Sequence, residues 1–299
     1  MTCRLATRQV SGLSNLFDCL RHVSAEITLR FESEALRVAE LAGTNTLYIY
    51  AELFSTRFES YSTTPEGGCA FVVSPAHVHA VLSSITRRVR GDAGVLLQLT
   101  FEPKKGGRCG ALELALRSDG DGEFDTTYVL PCRVARASEQ DEELAAHAAQ
   151  LFSGEGYAHT MYMSQRHLSH LVSHVFPLGQ YITLRCEPRA VHFTVTDKHA
   201  MISRAHVCFR MATTEEDNNQ EGPPRVKKQK IDDTGGFCFS QPLLTMLTRA
   251  MSLYNTTAVL LPDDSSIDRP VIMRSTVGDL GTLSVAIAQV TADGDVEAE

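Results

Sequence analysis

The sequence predicts an α+β protein made of two similar domains on antiparallel sheets. Three observations predict it. One is an internal repeat at an offset of 155 residues, and another is the growth of that offset to 166 further along the chain. The third is the order of patterns in each half: a helix, several alternating strands, a second helix, then more strands.

The repeat aligns without a gap at first. Glu26-Ile27-Thr28-Leu29-Arg30-Phe31-Glu32 lies over Tyr181-Ile182-Thr183-Leu184-Arg185-Cys186-Glu187, and Ala35, Leu36 and Val38 lie over Ala190, Val191 and Phe193. Both stretches read as strand, tight turn, strand. Just upstream, Leu13, Leu16, Phe17 and Leu20 fall on Leu168, Leu171, Val172 and Val175, one apolar stripe at helical spacing. Further on, Phe71-Val72-Val73-Ser74 matches Phe237-Cys238-Phe239-Ser240. Each precedes a second amphipathic helix, carrying Val78, Val81 and Leu82 or Leu244, Leu247 and Met251. The remaining strands are expected at 47–54, 95–101, 191–197 and 258–261.

Growth of the offset requires an insertion in the second half, and its site is 211–236, a polar stretch bearing Pro and Gly that is expected to form a disordered loop. Inside it, Pro223-Pro224-Arg225-Val226-Lys227-Lys228-Gln229-Lys230 reads as a nuclear localisation signal through Lys227, Lys228 and Lys230. A solvated charge run or a contact with DNA phosphates are the alternatives. Residues 134–156 read as a solvent-exposed linker between an N-terminal domain, 1–133, and a C-terminal domain, 157–299.

Composition narrows the function. At 299 residues and 43% hydrophobic, the chain suits two domains with separate cores. Its formal charge of −8 argues against broad wrapping of a nucleic acid, so any DNA contact must be local. With no Trp, a base-stacking platform for single strands is not expected. The eight cysteines have no CxxC spacing and read as reduced thiols in buried strands. No apolar run approaches the roughly 18 residues that span a bilayer, and the first residues lack a signal peptide's apolar core, so an intracellular protein without a membrane partner is expected. GxSxG, P-loop and HExxH motifs are absent, so neither an enzyme nor a cofactor is expected. His167, His170 and His174 share one helical face, but ligands on a single straight helix do not readily surround a tetrahedral ion, and a DNA-facing surface is the preferred reading.

Near the C-terminus, Arg269-Pro270-Val271-Ile272-Met273 and Val277-Gly278-Asp279-Leu280-Gly281-Thr282-Leu283 resemble a strand and turn of the eukaryotic sliding clamp family, proliferating cell nuclear antigen (PCNA). The N-terminal helix, Phe58-Glu59-Ser60-Tyr61 and both second helices follow that family's order over nearly the whole chain. The resemblance implies a DNA-clamp (processivity) fold, with antiparallel sheets outside and helices lining a central hole. It implies a homotrimer that encircles double-stranded DNA without sequence preference. A clamp loader is a possible further partner. Such a ring tethers a DNA polymerase and other replication or repair proteins in the nucleus.

Carried over residue by residue, the DNA-facing positions are Arg21, Arg249, His170 and His174, with Arg87, Arg88 and Arg90 following the second helix within reach of the duplex. The partner-peptide pocket falls on Leu41, Asn45, Tyr48, Leu151, Phe152, Pro270, Ala286, Ala288 and Gln289. The subunit interface pairs 125–132, with Tyr128 and Leu130, against 200–209, with Ile202 and Val207. A subunit of a hetero-oligomeric checkpoint clamp, a herpesvirus-type processivity subunit and a clamp-fold viral transcription factor are the alternatives.

Overall fold

Thr2–Thr7 forms the first strand, β1, and leads into helix α1, Val10–Arg21, whose stripe of Val10, Leu13, Leu16, Phe17 and Leu20 is buried. Strands β2 (Ile27–Phe31), β3 (Ala35–Ala42) and β4 (Leu47–Phe54) follow, then a 3₁₀ turn at Ser55–Arg57, β5 (Ser60–Thr64) and β6 (Cys69–Val73). Helix α2, Pro75–Arg88, starts on a proline, which is preorganised for a first helical position and has no N–H to leave orphaned. Strands β7 (Val95–Pro103), β8 (Cys109–Ser118) and β9 (Thr126–Val134) complete the first half.

The second half repeats this order, with no counterpart of β5 among the described residues: β10 (His159–Ser164), α3 (Gln165–His170), β11 (Tyr181–Glu187), β12 (Ala190–Asp197), β13 (Ala200–Arg210), β14 (Phe237–Ser240), α4 (Gln241–Met251), β15 (Thr256–Leu261), β16 (Val271–Val277) and β17 (Gly281–Ile287). The computed structural model describes residues 2–42, 47–64, 68–88, 95–103, 109–118, 126–135, 148, 150–153, 157, 159–187, 190–197, 200–210, 237–251, 254–262 and 269–289. At 42, 88, 118, 159, 186, 187, 200–204, 210, 243, 247, 249 and 250 it describes the backbone alone. The fold is α+β, with few helices and antiparallel strand pairing.

The repeat is exact at the level of strand register. Leu29 pairs with Val38 and Phe31 with Leu36; 155 residues on, Leu184 pairs with Phe193 and Cys186 with Val191. The larger offset holds too: Ile27 pairs with Val73 and Leu29 with Phe71, as Ile182 pairs with Phe239 and Leu184 with Phe237. A one-residue slip would turn every core side chain to the opposite face, so matching registers mean that both halves solve the same packing problem. The expected insertion at 211–236, including Lys227, Lys228 and Lys230, lies outside the described residues.

The chain divides into two units. Unit 1 is Met1–Ser153 with Arg274–Val285, and unit 2 is Gly154–Met273 with Ala286–Glu299. Unit 1 therefore takes a piece of the C-terminal sequence, because β17 forms a ladder with β4 and the Phe54 N–H donates to the Leu280 carbonyl at 2.9 Å. Its strands run in the order β17-β4-β3-β2-β6-β9-β8-β7-β1-β5, with α1 and α2 packed together. Its core holds Phe31, Phe71 and Phe101, with ring centroids 4.9 Å apart for Phe31 and Phe101 and 5.0 Å for Phe71 and Phe101. Unit 2 contains a four-stranded sheet, β13-β12-β11-β14, and the pair β10-β15.

Two expectations are corrected. Cys3 and Cys69 are joined in a disulfide rather than left as thiols, because β1 and β6, 66 residues apart in sequence, bring them together in the core of unit 1. Nor is 134–156 uniformly a solvent-exposed linker: Val134 belongs to β9, and Ala148 and Phe152 are buried. Among the described residues, no helix is long and apolar enough to cross a membrane.

Candidate functional site

The helices of this acidic chain carry almost none of its acids. Across α1, α2, α3 with its continuation to Val175, and α4, the sequence places five arginines, Arg21, Arg87, Arg88, Arg166 and Arg249, against one carboxylate, Asp18. The whole chain carries 36 Asp and Glu against 28 Lys and Arg, so the acids are concentrated on strands and connections. Such segregation leaves helix surfaces on which phosphates meet little repulsion.

Local geometry sets each position. Arg21, exposed at the end of α1, is in an ion pair with Asp18 at 2.6 Å, three residues before it. Asp18 also receives His79 of α2 at 3.4 Å, and His79 Nδ1 lies 3.2 Å from the Ser14 carbonyl, so this pair of groups ties the two helices together. Arg87 and Arg88 do not follow the second helix but form its last turn, because the apolar stripe continues through Ile85. Arg87 folds back, donating to the Ser83 carbonyl at 3.3 Å and to Ser83 Oγ at 3.1 Å. Arg90 lies outside the described residues, as do the side chains of Arg88 and Arg249.

In unit 2, Ser164 caps α3 by accepting the His167 N–H at 3.4 Å. The helix then widens to π geometry at Leu171–Val175 and tightens to a 3₁₀ turn at Phe176–Leu178, which contains Pro177. His170 and His174 have ring centroids 5.1 Å apart, whereas His167 packs on Phe209 of β13 at 5.0 Å. Burial, then Arg166, then His170 hold the His167 pKa below its ordinary value, which favours the neutral imidazole. Among the described residues, no group of three or more His, Cys, Asp or Glu is arranged to hold a metal ion.

The expected partner pocket is divided between the units. In unit 1, the Phe152 ring stacks on Tyr48 and Tyr50, with centroids 5.6 and 5.7 Å away, and its carbonyl accepts from Arg274 Nη2. Arg274 Nε also donates to Ser284 Oγ at 3.1 Å. Phe152 and Tyr48 are buried; Leu151 is half-buried and Leu41 exposed on the edge of this patch. Asn45 lies outside the described residues. In unit 2, Ala286 is buried, Pro270 and Ala288 are half-buried, and Gln289 Nε2 donates to the Arg269 carbonyl at 2.9 Å. The Pro270 carbonyl accepts from the Tyr157 hydroxyl at 3.0 Å.

Each unit also carries a long strand edge with no ladder partner among the described residues. β9 pairs with β8 along one edge, while on its other edge only Arg133 and Val134 pair, with β6. β13, eleven residues long, ends its sheet and pairs with β12 alone. On β9, Tyr128 and Leu130 are half-buried and Val129 is 63% exposed. On β13 the side chain of Ile202 is outside the described residues, and Val207 is buried with Val191, Phe193 and Val195. Val207 therefore belongs to the core and offers an incoming strand only its backbone.

Sequence reasoning missed Arg166, which a count of charges restricted to helical stretches would have found, and Asp18, whose role depends on helix packing. No family model matches the chain, and no curated protein matches it.

Proposed function

We propose that this protein is a sliding clamp: a homotrimeric ring that encircles duplex DNA and holds a DNA polymerase on its template. The observation that carries the reading is the confinement of acids away from the helices, five arginines standing against Asp18 alone in a chain of charge −8. A ring held on DNA by topology needs only weak, sequence-blind phosphate contacts on the helices that face the duplex. A tightly wrapping protein would need many more. The repeated hairpin registers supply two like units per chain, which suits a ring built from a small number of copies.

The bare edges of β9 and β13 complement each other in a head-to-tail contact between copies. Long exposed edges invite pairing with another chain, and closing a ring uses both. Exposed Leu41, opposite Tyr48 on the neighbouring strand, and half-buried Tyr50 and Leu151 offer a surface for partner peptides over the buried Phe152 ring. The run containing Lys227, Lys228 and Lys230 would direct the protein to the nucleus.

Retention on DNA tests the reading. The protein loaded on a closed circular duplex should stay bound through a high-salt wash and leave when the circle is cut. Loss at the same rate from circular and linear DNA contradicts it. Replacing Arg21 and Arg249 with Glu should shorten polymerase products while leaving the circular dichroism unchanged; unaltered product length would remove the helices from the DNA face.

A further inference from the structure

On the four-stranded sheet of unit 2, one face is core, filled by Val191, Phe193 and Val195, and the other carries His192. Register places Arg185 of β11, His192 of β12 and Cys208 of β13 in one row across that second face, with His206 one pair further along, opposite Thr194. His192 uses both ring nitrogens. Its Nε2 lies 3.9 Å from Cys208 Sγ, and its Nδ1 lies 2.9 Å from Nε2 of His206, whose ring stacks on it at 24°. His206 is only 9% exposed, while Cys208 is half-buried and outside any disulfide.

Because the two nitrogens of His192 point at different partners, thiol and imidazoles do not converge on one point, and this trio is not a metal site. It is a relay. With its proton on Nδ1, His192 donates to His206 and presents the Nε2 lone pair to the Cys208 thiol. That is the arrangement in which an imidazole, oriented by a third group, takes a proton from a nucleophile.

We propose that Cys208 is a reactive thiol, activated by His192 and His206, that exchanges with small disulfides such as glutathione disulfide. The Cys208 proton passes to His192 Nε2 and the thiolate attacks one sulfur of the disulfide. A new sulfur–sulfur bond forms as the old one breaks, and the departing thiolate takes the proton from the imidazolium. Cys208 ends oxidised in a mixed disulfide, and the other half of the reagent is reduced to a thiol. Arg185 lies in the same row on the far side of His192, one strand beyond it on β11. Among the described side chains, Tyr181 of β11 and Cys238 of β14, which faces Thr183, are the other titratable groups on this face. Since the trio projects from the sheet face and not from the open backbone edge of β13, the inference stands independently of ring formation.

Peptide-resolved mass spectrometry of the full chain exposed to glutathione disulfide provides the test, with Cys109, exposed and outside any disulfide, as the internal reference. Cys208 should react about tenfold faster than Cys109 at neutral pH. Its rate should fall less on acidification by one pH unit than that of Cys109 does. His192→Phe should bring Cys208 to the rate and pH slope of Cys109. His206→Gln, which keeps an acceptor for His192, should retain the advantage and His206→Leu should lose it. Equal rates and equal pH slopes for Cys208 and Cys109 in the unaltered protein overturn the proposal whether or not the variants fold. So does an undiminished Cys208 rate in a folded His192→Phe variant.

Discussion

The ring of Phe152 lies 5.6 Å from that of Tyr48 and nearly parallel to it, at 14°, so the end of the segment between the two halves is anchored on β4 of unit 1. Tyr50 holds it in the same way on the same strand face. Removing the ring exposes two tyrosines and leaves the Arg274 contact to the Phe152 carbonyl without its packing. Phe152→Ala is expected to lower stability by about 3 kcal/mol. With no Trp in the chain, tyrosine fluorescence during urea unfolding reports the change directly. A loss under about 1 kcal/mol would mean that the segment is not anchored there.

Two glycines at the β16–β17 turn should rank in a definite order. A Cβ at Gly281 would sit 2.0 Å from the Glu52 carbonyl oxygen and 2.8 Å from Leu53 Cα, both backbone atoms that can move only if β17 leaves β4. At Gly278, φ is +54° and a Cβ would meet Gln9 Oε1 at 2.8 Å, the far end of a flexible side chain. Gly278→Ala should therefore cost about 1–2 kcal/mol and Gly281→Ala about 3 kcal/mol or more. Thermal unfolding of the two variants gives the order; a smaller loss at Gly281 would contradict the β17–β4 ladder.

Alkaline pH should destabilise the fold through buried phenols. Burial, and secondarily Tyr50, push Tyr48 up to about 12; burial also raises Tyr61, whose hydroxyl donates to the Glu32 and Ala35 carbonyls at 2.9 Å each. The unfolded chain ionises near pH 10 and the folded chain does not, so the unfolded state binds fewer protons there. Stability is full below pH 10 and falls as pH rises from 10 towards 12. Tyrosinate absorbance should show a late-titrating group that Tyr48→Phe removes in part; a single ordinary titration of all tyrosines would contradict this.

Much of this was legible beforehand because strand pairing is local in the repeat. Leu29 and Leu184 face Val38 and Phe193 in the same register, and a shared register preserves a shared apolar pattern. Relations that depend on distant segments were not legible. Nothing near Gly281 in sequence announces Glu52, nothing near Cys3 announces Cys69, and Phe152 reads as a linker residue until Tyr48 and Tyr50 are beside it. The helix charges were visible as letters. Their meaning was diluted by a net charge dominated by strands and connections.

Edge strands offer a direct handle on assembly. Val129, 63% exposed on β9, contributes little to the fold of one copy, and a lysine on an open edge discourages strand pairing. Val129→Lys should shift stability by no more than about 0.5 kcal/mol while weakening association. Urea unfolding checks the first part, and sedimentation of the variant beside the unaltered chain checks the second. Unchanged sedimentation would take β9 out of the interface.

Mass in solution decides whether three copies close the proposed ring. Light scattering coupled to size separation at micromolar concentration should give three times the 32.8 kDa of one chain. A mass of one chain, unchanged when closed circular DNA is added, would contradict the ring.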